Sequence, residues 1–217
     1  MVKSKTARAV DEVQAIVASY LKTLKFRKSG RTFNRCGEDG VVHVINFQMG
    51  SYPIGKYVVP GLRENLYGKF TVNLGIRLPC ISAADGRKDK NTYQEYDCHI
   101  RSRLSRDADG GRGTWWTIEG DYARVACEIA VLLEKGGIPF LDQFSSYRDV
   151  LAYYDRCRVF PFRTDARSAL DAALVSRQCG YLPRYKELIQ EAKKLAQNHG
   201  GFRDYVGLIE KQFDSGK

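Results

Sequence analysis

Residues 70–78, FTVNLGIRL, alternate apolar and polar side chains through nine positions and stop at Pro79. A period of two is the pattern of a half-buried strand. Proline cannot continue the ladder. Phe70, Val72, Leu74 and Ile76 share one face; Thr71, Asn73, Gly75 and Arg77 share the other. This segment makes a sheet compulsory, and its neighbours are read from it. RTFNRC (31–36), the turn GEDG (37–40) and VVHVINFQ (41–48) form a hairpin pattern. CHIRSRLSR (98–106) continues the theme, with Cys98, Ile100, Ser102 and Leu104 on one face and His99, Arg101 and Arg103 on the other. After the glycine-rich turn DADGGRG (107–113), TWWTI (114–118) reads as the return strand, with Trp116 and Ile118 inward and Trp115 outward. Four or five consecutive strands with short turns predict an antiparallel meander.

The flanks are helical. Val10, Val13, Ile16, Val17, Tyr20, Leu21 and Leu24 form one stripe ending near Lys25, and this helix is expected to cover the apolar sheet face. From Asp121, a helix cap, Tyr122, Val125, Ala126, Ile129 and Leu133 make another stripe, closed by Gly136-Gly137. Ser145 or Ser146 caps a helix through Tyr154, and Thr164 caps one ending near Gly180. Pro183 opens a helix that Gly200-Gly201 stops, and Phe202 to Phe213 supplies the last. The fold class is therefore α+β: an N-terminal helix, an antiparallel four- to five-stranded sheet and a helical C-terminal half. Residues 1–136 are expected to form the α+β domain and 137–217 a helical extension packed on or beside it. Residues 49–69 read as a long loop and 82–94, SAADGRKDKNTYQ, as a mobile one.

Four segments, DGVVHVINFQ (39–48), FTVNLG (70–75), CHIRSRL (98–104) and the Trp115-Trp116 pair, together resemble a bacterial family known as domain of unknown function number 4304. The resemblance spans about residues 8 to 135. It implies an α+β domain with an antiparallel sheet. It implies no reaction and no cofactor, and carries over no catalytic residue.

Charge narrows the function. The chain has 217 residues and a formal charge of +10. Residues 1–120 carry 20 Lys+Arg against 12 Asp+Glu, and residues 121–217 carry 15 against 13. Such asymmetry points to an anionic partner, or to plain solvation of a basic surface. Alternation gathers Asn46, Gln48, Thr71, Asn73, His99, Arg101, Arg103 and Trp115 on one polar face. Guanidiniums grip phosphate or carboxylate, amides supply donors and acceptors, and a tryptophan offers a stacking surface. The candidate binding residues are Asn46, Gln48, Asn73, Arg101, Arg103 and Trp115, for nucleic acid first among anions. The plain alternative has the arginines paired with carboxylates and the amides bonded to loops beneath the C-terminal helices.

Other chemistry is poorly supported. Neighbours Cys98 and His99 point apart on a strand, so they do not form a nucleophile–base pair. Cys98 is expected in the core, His43 as a hydrogen-bonded core or edge histidine, and His199 at a helix C-terminus. Six cysteines without CxxC spacing argue against zinc and a disulfide framework; most should be free and buried. DADGGRG resembles a calcium loop only superficially, since the third acidic position is absent and the twelfth residue from Asp107 is Ile118 rather than Glu. Glu119 and Asp121 are the acidic pair near the sheet. The aromatic–arginine stretch 145–163 suits helix packing or a protein partner, which keeps open an interaction module of immunity or antitoxin type. An enzyme acting on a phosphorylated small molecule ranks third, for want of a general base. No apolar run reaches membrane-helix length and no signal-peptide core is present, so a cytoplasmic protein without membrane association is expected.

Overall fold

The structure is a computed structural model that describes residues 5–51, 65–107, 113–117 and 120–214. Helix α1 (Lys5–Thr23) buries Val10, Val13, Val17 and Leu21, the stripe read from its spacing. The chain turns through Lys25 in a left-handed conformation. Strand β1 (Arg27–Ser29) then pairs antiparallel with β2 (Thr32–Cys36) around Gly30. Alternation could not find β1, because its three residues are all polar and exposed.

Strands β3 (Val42–Met49) and β4 (Lys69–Arg77) form the centre of the sheet, with Ile45 opposite Leu74 and Asn46 opposite Asn73. β5 (Ile100–Arg103) pairs with β4 from Ile76 to Asn73. The expected meander fails at the next step. β6 (Trp116–Thr117) does not lie outside β5; it pairs with Phe70 and Lys69 of β4. β5 and β6 thus share one edge of β4, as a single antiparallel strand interrupted by an excursion. The neck is closed by Thr114 N–H donating to Leu104 O at 2.9 Å, while Leu104 N–H bonds Val72 O at 2.9 Å. Ile118 and Glu119 lie outside the described residues.

The apolar face gathers Phe33, Ile45, Phe47, Val72, Leu74, Ile76, Ile100 and Leu104, as alternation predicts. A row of rings crosses four strands: Phe33 to Phe47 at 6.0 Å, Phe47 to Phe70 at 6.2 Å and Phe70 to Trp116 at 5.7 Å between centroids. Such pairs add to simple area burial. α1 and α3 (Tyr122–Leu132) contribute to the same core. Asp121 caps α3 by accepting from Arg124 N–H at 2.9 Å. Gly136 and Gly137 do not close this helix; they sit in a wide turn, Leu133–Gly137, that runs on into α4 (Ile138–Asp142).

A short helix α2 (Pro79–Ala84) follows β4, with Pro79 in its first turn. In the C-terminal half, Ser146 caps α5 (Tyr147–Cys157) in a reciprocal box with Asp149. Thr164 caps α6 (Asp165–Gln178), and Gly180 turns the chain into α7 (Leu182–Leu195). α8 (Gly200–Asp214) starts at the two glycines that sequence reading made a stop. His199 accordingly lies before α8, its carbonyl accepting from Phe202 and Arg203 N–H, and not in the last turn of α7. Inside α6, fully buried Asp171 pairs with Arg167 at 2.8 Å and Arg163 at 3.3 Å. Arg167 also reaches Asp85 just beyond α2, which joins the helices to the end of the sheet.

His43 joins the hairpin to the helical half. Arg35 can only donate, so its 2.8 Å contact makes Nδ1 the acceptor, and Nε2–H donates to Phe144 O at 3.0 Å. Burial holds this histidine below its ordinary value, in the neutral state that the pair of bonds requires. Among the cysteines the expectation of general burial fails: Cys36, Cys127 and Cys157 are exposed and Cys98 alone is buried. Their one small side chain each was a poor guide, because they fall on outward positions of β2, α3 and α5.

Glu128 of α3 accepts from Trp116 Nε1 at 3.1 Å and from Arg106 Nη2 at 3.0 Å. The Arg106 bond foremost, and the Trp116 bond, hold Glu128 below its usual 4.5 despite partial burial. A lowered carboxylate stabilises the fold above its unfolded value, and that contribution disappears as pH falls through the folded value. Urea unfolding between neutral pH and about pH 3 should therefore show a steeper acid loss in wild type than in Glu128→Gln. Equal slopes would remove Glu128 from the acid sensitivity of the fold.

Candidate functional site

β4 is closed on its second face too, and not by the C-terminal helices. Segment 85–98 folds back over it. Tyr93 is 8% exposed and anchors the end of a stretch that sequence reading expected to be mobile, while residues 86–91 are exposed. Asn34 and Tyr93 exchange two hydrogen bonds, at 2.9 and 2.7 Å. Val42, Val44, Tyr93 and Cys98 make a second, small apolar cluster. Gly75 permits this approach, since a Cβ there would stand 2.6 Å from Cys98 Sγ. One aromatic in the thirteen residues 82–94 carried too weak a periodic signal to announce it.

The chain bends at His99, so alternation does not extend through it. Cys98 packs over the face opposite Ile100, and not beside it as expected. His99 is 2% exposed, with Nδ1 accepting from Leu78 N–H at 3.0 Å. It leaves the polar face altogether. Burial, then the field of Arg163 and Arg167, holds His99 well below its usual range. Burial likewise keeps the Cys98 thiol protonated by pushing it well up. A protonated thiol and a sealed imidazole do not make a nucleophile and base.

Of the six candidate binding residues, four form a connected row. Asn73 is 2% exposed. Its Nδ2 donates to Gln48 Oε1 at 2.7 Å, and its Oδ1 accepts from Arg103 Nε at 3.0 Å. The Arg103 guanidinium then lies 5.5 Å from the ring centre of Trp115. Gly113, with φ of +79°, makes room for the Arg103 stem, because a Cβ there would be 2.5 Å from it. Beneath the row, the buried Thr71 hydroxyl donates to Thr114 O at 2.8 Å, which fixes the far side of the neck. Gln48 is exposed, while Arg103 and Trp115 are half-buried. No described carboxylate pairs with Arg103.

The other two are placed differently. Arg101 pairs with Glu95 at 3.3 Å and keeps 42% of its side chain exposed. Asn46 is drawn under segment 85–98, donating to Thr32 Oγ1 at 2.8 Å and Gln94 Oε1 at 3.3 Å. Thr32, Gln94 and Glu95 complete these networks and were missed, because two come from a loop that no strand pattern could position. Among the described residues no group of three metal-ligating side chains occurs, and no helix is long and apolar enough to cross a membrane.

The family model of a domain of unknown function, DUF4304, matches residues 17–143. The match takes in every strand and the whole polar row, and ends as α4 ends. No curated protein and no solved structure matches the chain.

Closure of the second face by Gly75 has a measurable consequence. Gly75→Ala should push segment 93–98 outward and cost about 1–3 kcal/mol, as overpacking does. Site-resolved alkylation should then find Cys98 reactive, whereas wild type labels at Cys36, Cys127 and Cys157 first. Unchanged Cys98 protection together with an unchanged urea midpoint would refute the packing argument.

Proposed function

We propose that this chain, which belongs to the DUF4304 family, is a non-catalytic binding module for an anionic partner, single-stranded nucleic acid first. One observation carries the reading: the Arg103 guanidinium is fixed by Asn73, stands over Trp115 and is paired with no described carboxylate. A cation held over an aromatic ring presents phosphate-binding donors beside a surface on which a base can stack. Arg101, 42% exposed although paired with Glu95, stands next along the strand with a second charge. Gln48 adds an exposed amide at the other end of the row. Asn46 supports the face from beneath segment 85–98. The +10 charge raises the encounter rate with a polyanion.

A protein-interaction module is the second reading, and Phe162 favours it. Tyr147, Tyr154 and Phe160 of the aromatic–arginine stretch are buried in packing, but Phe162 is 68% exposed and held at a φ of +57° between Pro161 and Arg163. A left-handed aromatic in solvent is an uncommon arrangement.

Fluorescence anisotropy with labelled single-stranded RNA and DNA across a salt series separates the two. Affinity should fall linearly in log–log salt, and Arg101→Ala/Arg103→Ala should weaken binding and reduce the slope by about 1.4, two single-strand phosphate contacts. Undiminished binding by the double variant would sink the site, and no binding at low salt would sink nucleic acid. A single stoichiometric protein partner lost in Phe162→Ala would then take its place.

A further inference from the structure

Arg77 is the last residue of β4, on the same sheet face as Asn73, and its side chain is only 4% exposed. A buried guanidinium demands compensation. Its carboxylate is Asp89, whose own side chain is 82% exposed. Tyr93 lies beneath the guanidinium at 4.1 Å. The compensating charge therefore comes from the solvent side, on a residue held by little else than Arg77 and a 3.3 Å bond from the Tyr93 hydroxyl.

Around Arg77 is a cleft of about 180 Å³ lined also by Ser82, Arg87, Lys88 and Lys90, with Asp97 as the acidic member of the wall. Asp97 is engaged, accepting from Lys90 Nζ at 2.6 Å and Gln94 N–H at 3.0 Å. Arg87 meets Asp85 only at 3.6 Å, and no described carboxylate pairs with Lys88. Four cations thus converge on a space where Asp97 is committed to Lys90, Asp85 stands 3.6 Å from Arg87 and Asp89 reaches Arg77 from the solvent side. Drug-sized ligands need roughly 300 Å³ or more. The cleft instead holds the volume of about six waters at roughly 30 Å³ each. That suits a compact tetrahedral anion with its ester group left outside.

We propose that this cleft is a phosphate-binding site, in which the phosphate group of a small phosphomonoester, or free phosphate, displaces Asp89 from Arg77 and is closed over by Arg87, Lys88 and Lys90. The fork of Arg77 is pre-set by Tyr93 and the strand, so it offers two parallel donors to phosphate oxygens. Asp89 acts as an internal stand-in that keeps the buried charge satisfied while the site is empty. The site is separate from the row at Arg103 and does not depend on nucleic-acid binding.

The test is calorimetric titration of the full chain with inorganic phosphate and with a simple alkyl phosphomonoester, at constant ionic strength set by chloride. Arg77 itself is avoided, since its loss threatens folding. Lys88→Ala should weaken phosphate binding roughly tenfold while leaving the melting temperature in chloride unchanged. Asp89→Asn should bind phosphate tighter, roughly two- to fivefold, as expected for removing an exposed competing carboxylate. The same variant should melt lower in chloride and recover on adding phosphate. The tighter of the two ligands identifies the source of the group. Absence of saturable binding to either, or Asp89→Asn binding no tighter than wild type, would overturn the proposal.

Discussion

The hydrogen-bond demand of β4 organises the molecule. This strand is buried along both faces, yet it carries Thr71, Asn73 and Arg77 on the second one. Buried polar groups must be paired or they cost far more than they return. Each finds its partner in a different part of the chain: Thr71 in Thr114, Asn73 in Gln48 and Arg103, and Arg77 in Asp89. The return of the chain at residue 114 and the folding-back of segment 85–98 are thus conditions for β4 to be central. Both would look like loop detail if the apolar core alone were considered.

The same demand distributes charge. Where the cover over β4 is apolar, at Gly75 and Cys98, the face is closed, and the Arg101–Glu95 pair borders it. Arginines flank this plug, half-buried Arg103 beyond Asn73 and buried Arg77 at the strand end. Asn73 and Arg77 are four residues apart on one strand, about 13 Å at the rise of extended chain. Asn73, which anchors Arg103, and Arg77 thus keep a fixed spacing on one strand that loop motion cannot alter. Precision of this kind is what strand-borne sites offer over loop-borne ones.

Much of this was legible in the sequence where structure is local. The period of two located β3 and β4 and sorted Phe47 from Gln48. Side chains with one capping job, Asp121, Ser146 and Thr164, marked the helix starts where they occur. What the sequence hid depends on tertiary contact. A bend at His99 moved that residue and Cys98 to sides that a straight strand would not allow. Tyr93 found a niche over Val42 and Val44 that nothing in its own polar surroundings signals. The pairs Gly136-Gly137 and Gly200-Gly201 read as helix stops by propensity, but Gly137 packs tightly on Leu133 and Leu104, and Gly200-Gly201 form the first turn of α8. The polar row at Asn73 was legible as a set of residue types. Its bonding was not, because Gln48, Asn73 and Arg103 come from three strands whose register only the folded ladder fixes.

The bridged neck between Leu104 and Thr114 has an evolutionary consequence. Because both halves of the interrupted strand are registered independently against β4, the number of residues between them is decoupled from the ladder. Lengthening such a connection is cheap, about 0.6 kcal/mol for each doubling. Relatives can vary this insert widely without disturbing a single strand pair. New sequence added there would emerge next to Arg103 and Trp115, so diversification of the insert would act on whatever that row recognises while the scaffold stays constant.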